Sequence, residues 1–193
     1  DLQALYKSLT QMPELQISDM PDWDMYNIEP LLDSSNMTVD EWNRIGMVIE
    51  EHYDKYDGFV ILHGTDTMAY TASALSFMLE NLAKPVVITG AQIPLGELRS
   101  DGKDNLIASM MIAANENVRE VCIYFADMLM RGNRTIKYSS SDLIAFRSPN
   151  YPPLANAGIH IEYNESIMRK APTEPFRLQK LENVPIGVIK VFP

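Results

Sequence analysis

Three short runs of almost uniformly apolar residues restrict the folds that this sequence can form. They are DGFVIL (57–62), PVVITG (85–90) and VREVCIYFA (118–126). Such runs are typical of strands that are buried on both faces of a sheet. Segments with helical periodicity separate them, and this strand–helix–strand order predicts parallel pairing through right-handed crossovers. The sequence therefore predicts an α/β domain.

Three segments have the periodicity of amphipathic helices. The first begins at a capping-box pattern, Thr38 with Glu41, and ends near Tyr56. The second, 67–82, has two apolar stripes, which predict contact with the sheet on one side and with a partner on the other. The third spans 102–115. Together with the apolar strands, these helices predict a three-layer fold with a mostly parallel, flavodoxin-like sheet.

The flanking segments are predicted to be less regular. The chain opens in an amphipathic helix, and we expect a strand to precede it, because in a parallel α/β sheet each helix follows a strand. Residues 23–28 are predicted as a strand, and 128–146 as a hairpin excursion. Proline spacing in 148–158 predicts a segment without regular structure.

A change of composition near residue 172 predicts a domain boundary. Residues 170–185 have the composition of a linker, and 186–192 (IGVIKVF) that of a fresh strand. At about 150 residues per domain, the chain is long enough for one full domain and a remainder. We expect an α/β domain over 1–172, followed over 173–193 by a linker and the first strand of a smaller α/β domain.

Charge, hydropathy and cysteine content exclude several classes of function. With 16 basic and 26 acidic residues the net charge is −10, which disfavours contact with a nucleic-acid backbone. The longest uncharged apolar run, 67–79, is shorter than the roughly 18–20 residues that cross a bilayer, so we expect no membrane insertion. Cys122 has no partner for an internal disulfide. The histidines, His52, His63 and His160, are scattered, so no metal site is expected.

The motif HGTDT, residues 63–67, joins a predicted buried strand to the N-terminus of a predicted helix. In open α/β sheets ligands bind outside the carboxyl ends of the strands, and the free amides of a helix N-terminus favour anions or polarised oxygens. Thr65 and Asp66 are therefore candidates for contact with a ligand. The spacing also fits a purely structural role, in which Asp66 or Thr67 caps the helix.

Motifs of other enzyme classes do not fit the sequence. GELRSDGKD (96–104) has five residues between its glycines and an Asp after the Lys, whereas a Walker loop has four and a Ser or Thr. Neither GxSxG nor GxGxxG occurs, which argues against a serine hydrolase and a dinucleotide-binding protein.

Five segments, in order along the chain, together resemble the bacterial-type L-asparaginase family. They are LLDSSNMT (31–38), DGFVILHGTDTM (57–68), KPVVITGAQIP (84–94), RSDGKDNL (99–106) and RGNRTIKYSSSDLIAFRSPN (131–150). LLDSSNMT and SPNYPPLANAG (148–158) most resemble the cytoplasmic, type I branch. The resemblance covers nearly the whole chain, and several separated motifs in register are more specific than any one of them.

The resemblance implies hydrolysis of the side-chain amide of L-asparagine to L-aspartate and ammonia, through a threonine nucleophile and an acyl-enzyme, without metal or cofactor. The catalytic group that it implies consists of Thr65, Asp66 and Lys137. The residues that it places around the substrate are Asp33, Ser34, Ser35 and Ala91. In that scheme Asp66 pairs with the α-ammonium, Ser34 bonds the α-carboxylate, and Ala91 presents backbone to the reacting amide. Ser34 and Ser35 could instead form only a turn before the Thr38 cap.

The roles of Thr65 and Lys137 make chemical sense in amide hydrolysis. An Asp66 carboxylate beside Lys137 favours the charged ammonium, so we expect a lysine that orients Thr65 and stabilises developing charge. Backbone donors near Thr65 and Ala91 are the expected stabilisers of the oxyanion. The alternative is a surface lysine on a hairpin, remote from Thr65 in space.

One departure from the family pattern concerns the nucleophile. The family's first nucleophile lies in a GGTI motif at the end of the first strand, and GGTI does not occur in these 193 residues. We therefore expect the nucleophile and its strand to precede Asp1 in the complete protein. The resemblance also implies a homodimer or homotetramer in the cytoplasm. Two other functions stay open, namely the amidase subunit of a tRNA-dependent amidotransferase and a non-catalytic amino-acid-binding module.

Overall fold

A six-stranded sheet lies at the centre of the computed structural model, which describes residues 2–29 and 34–192. The helices are α1 (Leu2–Thr10), α2 (Val39–His52), α3 (Met68–Met78) and α4 (Gly102–Ala113). The strands are β1 (Phe59–Leu62), β2 (Leu79–Glu80), β3 (Val86–Thr89), β4 (Val121–Phe125), β5 (Met128–Arg131), β6 (Ile136–Lys137), β7 (Phe146–Arg147), β8 (Ala155–Ala157), β9 (Ile161–Tyr163) and β10 (Arg177–Leu178).

The sheet has a parallel and an antiparallel half, in the strand order β1-β3-β4-β5-β8-β9. β1, β3 and β4 are parallel, and α3 and α4 connect them, as the alternating pattern of the sequence predicts. Leu62 pairs with Thr89, so β1 and β3 end side by side. β5, β8 and β9 extend the sheet by antiparallel pairing.

Successive residues of the central strands face two different helical layers. Val86 and Ile88 of β3 pack with α2 and α3, whereas Val87 packs with Ile112 of α4. Helix α1 lies outside α4, where Leu9 belongs to the same apolar cluster as α4 residues. Burial on both faces explains why these strands are uniformly apolar in sequence. This helix–sheet–helix arrangement confirms the predicted α/β fold class.

The chain turns directly from β4 into β5 through Ala126 and Asp127, whose φ angles are 47° and 62°. Two consecutive residues with positive φ are typical of two-residue turns that suit the twist of a hairpin. β5 therefore pairs antiparallel with β4, and the segment predicted as an excursion begins inside the main sheet. The excursion itself is the small β6–β7 hairpin, in which Lys137 pairs with Phe146.

Two local predictions about flanking segments are wrong. Residues 23–28 form no strand, and none of the described strands pairs with them. Trp23 and Met25 instead pack against the apolar cluster between α1 and α4. The segment 148–158 is not without regular structure, because β8 pairs with β5 in its second half. Its prolines precede the strand, so they remove no hydrogen bond from it.

Helix α3 ends at Met78, before the predicted end near Leu82. The reason is that β2 follows immediately and pairs with β10, which lies far along the chain. Phe176 stacks on Tyr53 at the end of α2, with ring centroids 3.9 Å apart, so this part of the predicted linker packs against the domain. Residues 186–192 form no strand, since the described chain provides no neighbour for them. The division into 1–172 and 173–193 stays a prediction.

The second apolar stripe of α3 faces outward. Tyr70 and Phe77 are each 67% exposed. A partner for this stripe therefore stays a prediction. None of the described helices is both long enough and apolar enough to cross a membrane.

Candidate active site

The turns that follow β1 and β3 touch each other at the carboxyl end of the sheet. The N–H of His63 donates to the carbonyl oxygen of Thr89 at 2.9 Å. A Cβ on Gly90 would lie 2.2 Å from the carbonyl oxygen of His63, so only glycine allows this approach. The HGTDT turn and the turn at Ala91 therefore form adjoining walls of one crevice, where open α/β sheets bind their ligands.

Lys137 reaches this crevice from the β6–β7 hairpin. Its Nζ atom donates to Oγ1 of Thr65 at 3.0 Å and to Oδ1 of Asp66 at 2.9 Å. The lysine side chain is 20% exposed, whereas that of Asp66 is 65% exposed. The structure thus brings together all three residues of the predicted catalytic group, with the ammonium between a hydroxyl and a carboxylate.

The turn at Ser34–Asn36 lies directly against the HGTDT turn. A Cβ on Gly64 would lie 2.2 Å from Oγ of Ser34, so Gly64 is required for this contact. The hydroxyl of Thr67 donates to the carbonyl oxygen of Ser34, which ties the turn to the start of α3. Ser34 thereby contacts Gly64 and Thr67, the two residues that flank Thr65 and Asp66 in the sequence, and the neighbouring Ser35 is exposed. Asp33 lies outside the described residues.

The turn that begins at Ala91 is held by a carboxylate from the start of α4. Asp101 accepts hydrogen bonds from the N–H groups of Gln92 at 3.1 Å and Ile93 at 2.9 Å. Asn105, one turn later, donates from Nδ2 to the carbonyl oxygen of Gly90 at 3.0 Å. The segment RSDGKDN, which has no Walker function, therefore serves to fix the main chain around Ala91.

A cavity of about 260 Å³ opens beside these two turns. Leu62, His63, Ala91 and Leu95 contribute to its lining. Its walls combine apolar side chains with residues at the strand ends, as small-molecule sites commonly do. Among the described residues no cluster of three or more His, Cys, Asp or Glu could hold a metal ion.

The structure also reveals a polar network that the sequence patterns did not indicate. Nε1 of Trp42 donates to Oγ1 of Thr71 at 3.0 Å, and this hydroxyl lies 2.9 Å from Nε2 of His63. Nδ1 of His63 lies 2.6 Å from the carbonyl oxygen of Gly64. Burial lowers the pKa of His63, and its contact with the Gly64 carbonyl opposes that shift only partly. The one sequence feature that could have indicated this network is the position of His63 immediately before the GTDT residues.

Comparison with known proteins gives one consistent family. The family model for the N-terminal domain of asparaginase matches residues 2–169. L-asparaginase 1 of Escherichia coli K12 is 51% identical over 98% of this chain and 56% of its own length. The crystal structure of L-asparaginase I from Vibrio cholerae O1 has a TM-score of 0.91 at 51% identity, covering 98% of this chain and 58% of that one.

A more distant relative has a different name. It is a glutamyl-tRNA(Gln) amidotransferase component of Pyrococcus abyssi, 33% identical over 98% of this chain and 46% of its own length. The chain thus spans about half the length of these two curated relatives.

Proposed function

Because this chain belongs to the asparaginase family, we propose that the complete protein hydrolyses the side-chain amide of L-asparagine to L-aspartate and ammonia. The observation that carries the proposal is the position of the Lys137 ammonium, which donates to both Thr65 and Asp66. A charged lysine in this place orients the Thr65 hydroxyl and offsets negative charge that develops when an amide is attacked. Thr65 then transfers protons between the attacking group and the departing ammonia.

The same crevice offers an anionic group and a hydrogen-bond donor for the two ends of an amino-acid head group. The exposed carboxylate of Asp66 pairs with an α-ammonium, and the hydroxyl of Ser34 donates to an α-carboxylate. Asp33 and Ser35 belong to the same substrate loop. The main chain at Ala91, held by Asp101, faces the reacting amide.

We assign the nucleophile to a threonine outside these residues, as in the GGTI pattern of the family. The acyl-enzyme forms on that threonine, and the groups described above bind the substrate, stabilise charge and move protons. No metal or cofactor takes part in this scheme. The complete protein is proposed to act in the cytoplasm as a homodimer or homotetramer, and the exposed stripe of α3 around Tyr70 and Phe77 is available for such an assembly.

The amidotransferase alternative has weaker support. Identity to L-asparaginase 1 is 51%, against 33% to the amidotransferase component, over the same share of this chain. Both families would use a similar threonine chemistry, so the distinction depends on the acceptor of the ammonia. A non-catalytic amino-acid-binding module would use Ser34 and Asp66 without turnover.

The test is ammonia release from L-asparagine by the complete protein. We expect turnover by the wild type and a loss of roughly 100-fold or more in Thr65→Val, since general acid–base groups contribute about 10²–10⁴. Thr10→Val is the matched control, because the Thr10 hydroxyl is exposed and bonds only to α1 backbone. Calorimetric binding of L-aspartate without turnover would contradict the enzyme assignment. Ammonia production that requires charged tRNA would favour the amidotransferase.

A further inference from the structure

We propose that His63, Thr71 and Trp42 are positioning residues that orient the peptide group between Gly64 and Thr65 for the reaction. Their side chains form one chain of hydrogen bonds from helix α2, through helix α3, to the HGTDT turn. This inference rests on the proposed amide hydrolysis and adds to it a group of residues whose side chains act on the backbone of the HGTDT turn.

The Gly64 carbonyl and the Trp42 indole, at the two ends of this series of hydrogen bonds, determine the direction of each bond in it. The Gly64 carbonyl can only accept, so Nδ1 of His63 carries the proton in the 2.6 Å contact. A neutral imidazole then has a bare Nε2, which accepts from the Thr71 hydroxyl at 2.9 Å. Because the Thr71 oxygen keeps a lone pair, it accepts from the Trp42 indole, which can only donate. Each donor thus meets an acceptor.

The opposite tautomer would break this pattern. With the proton on Nε2, Nδ1 and the Gly64 carbonyl would face each other as two acceptors. A doubly protonated ring would donate from Nε2, so the Thr71 oxygen would have to accept from both His63 and Trp42. The hydroxyl proton of Thr71 would then lose Nε2 as its acceptor. Thr71 is fully buried, so such mismatches would be costly. Burial also lowers the pKa of His63, in agreement with a neutral ring.

The consequence for Thr65 follows from the planarity of the peptide bond. In a trans peptide the C=O of one residue and the N–H of the next point in opposite directions. His63 holds the Gly64 carbonyl, and the Thr65 N–H is therefore directed away from the imidazole. We infer that this N–H is directed at the oxyanion of the reacting amide. Lys137 holds the side chain of Thr65, and His63 holds its backbone.

The experiment measures ammonia release from L-asparagine by the complete protein and its variants. Thr71→Val, a change of similar volume, removes the bonds of Thr71 to His63 and to Trp42. We expect kcat to fall about tenfold, because the imidazole loses the donor that fixes it. KM should change less than about twofold, since the groups that bind the head group are untouched. Thr71→Ser keeps the hydroxyl and should restore kcat. Ser76→Ala is the control, because Ser76 lies on the same helix and bonds only to helix backbone.

A second measurement is independent of turnover. Nitrogen-15 spectra of histidine-labelled protein, with His63 identified by its absence in His63→Gln, report which ring nitrogen carries the proton. We expect Nδ1–H in the wild type and in Thr71→Ser, and in Thr71→Val a shifted Nε2 resonance, because the bare nitrogen loses its donor. An Nε2–H ring in the wild type, or wild-type kcat in Thr71→Val, would overturn the inference. A complete protein that released no ammonia would refute the proposed function, whereas the tautomer would still decide the hydrogen-bond arrangement.

Discussion

Nζ of Lys137 lies 3.0 Å from Oγ1 of Thr65, although 72 positions separate the two residues in the chain. The turn after β1 carries the threonine, and a hairpin that follows β5 carries the lysine. The contact therefore depends on the whole fold, while the chemistry depends on the two side chains. A substitution at either side chain can therefore change the chemistry of the site while the fold is kept.

We expect Lys137→Gln to lower the ammonia-release activity of the complete protein by about 100-fold, because it removes a charge-stabilising donor from the crevice. Its thermal unfolding should change little, since the partner carboxylate of Asp66 is largely solvent-exposed. Lys55→Gln, which removes a lysine from the exposed pair with Asp24, is the control and should retain full activity. Undiminished ammonia release by Lys137→Gln would refute the role given to the ammonium.

Gly64→Ala should raise KM for L-asparagine. The added Cβ would lie 2.2 Å from Oγ and 2.6 Å from Cβ of Ser34, so the Ser34 turn must move away from the crevice. Gly96→Ala is the matched control, because no atom lies within 4 Å of its added Cβ. Steady-state kinetics of both variants check this prediction. Equal KM values for the two would mean that the Ser34 turn does not bind the substrate.

The sequence predicted the parallel half of the fold because the relevant signals are local. The apolar run before HGTDT and the capping box at Thr38 each determine an element within a few residues. β8 was missed because its stability comes from pairing with β5, a partner remote in sequence. The early end of α3 has the same cause, since β10 lies nearly one hundred positions further on.

The chemistry of the candidate site could be predicted only in part. Thr65 and Lys137 belong to segments that resemble a family, and that resemblance indicated their joint catalytic role. Trp42 lies on the apolar stripe of its helix, and this pattern predicts burial but not the direction of the indole N–H. The link from Trp42 through Thr71 to His63 depends on side-chain orientation in three dimensions, which periodicity does not determine.

Asn105→Ala should lower the free energy of unfolding by about 2–3 kcal/mol, because buried amides that lose their partners are destabilising. Asn105 donates to the carbonyl of Gly90 and accepts from the N–H of Ala126 at 3.1 Å, so it joins the ends of β3 and β4. Asn117→Ala, at an exposed position, is the control. Urea unfolding of the two variants measures the difference, and an equally small effect in both would show that Asn105 does not join the strands.

Glu120→Gln should destabilise the protein far more than Glu80→Gln. Glu120 is buried, pairs with Arg131 and accepts from the N–H of Arg169 at 3.2 Å. Removing one charge of such a pair leaves the other charge poorly compensated, which lowers the free energy of unfolding by about 3 kcal/mol. Glu80 forms an exposed pair with Arg177, which solvent screens. Urea midpoints of both variants test this order, and the reverse order would contradict it.

His63 should make the stability of the protein depend on pH in a defined window. Burial lowers the pKa of folded His63, while the unfolded residue keeps its ordinary pKa of about 6.5. As pH falls below about 6.5 the unfolded residue takes up a proton more readily than folded His63 does, so the free energy of unfolding falls. Above that pH both forms are neutral, and His63 adds no pH dependence.

His63→Gln removes this dependence. The difference in unfolding free energy between wild type and His63→Gln should therefore shrink as pH falls from about 8 to about 5, while the contributions of all other titrating groups cancel. Urea unfolding at a series of pH values measures it. Thr10→Val changes no titratable group, so its difference from the wild type should stay constant with pH. A His63→Gln difference that grew at low pH would mean that folded His63 is protonated, which is incompatible with the bond that it donates to Gly64 while accepting from Thr71.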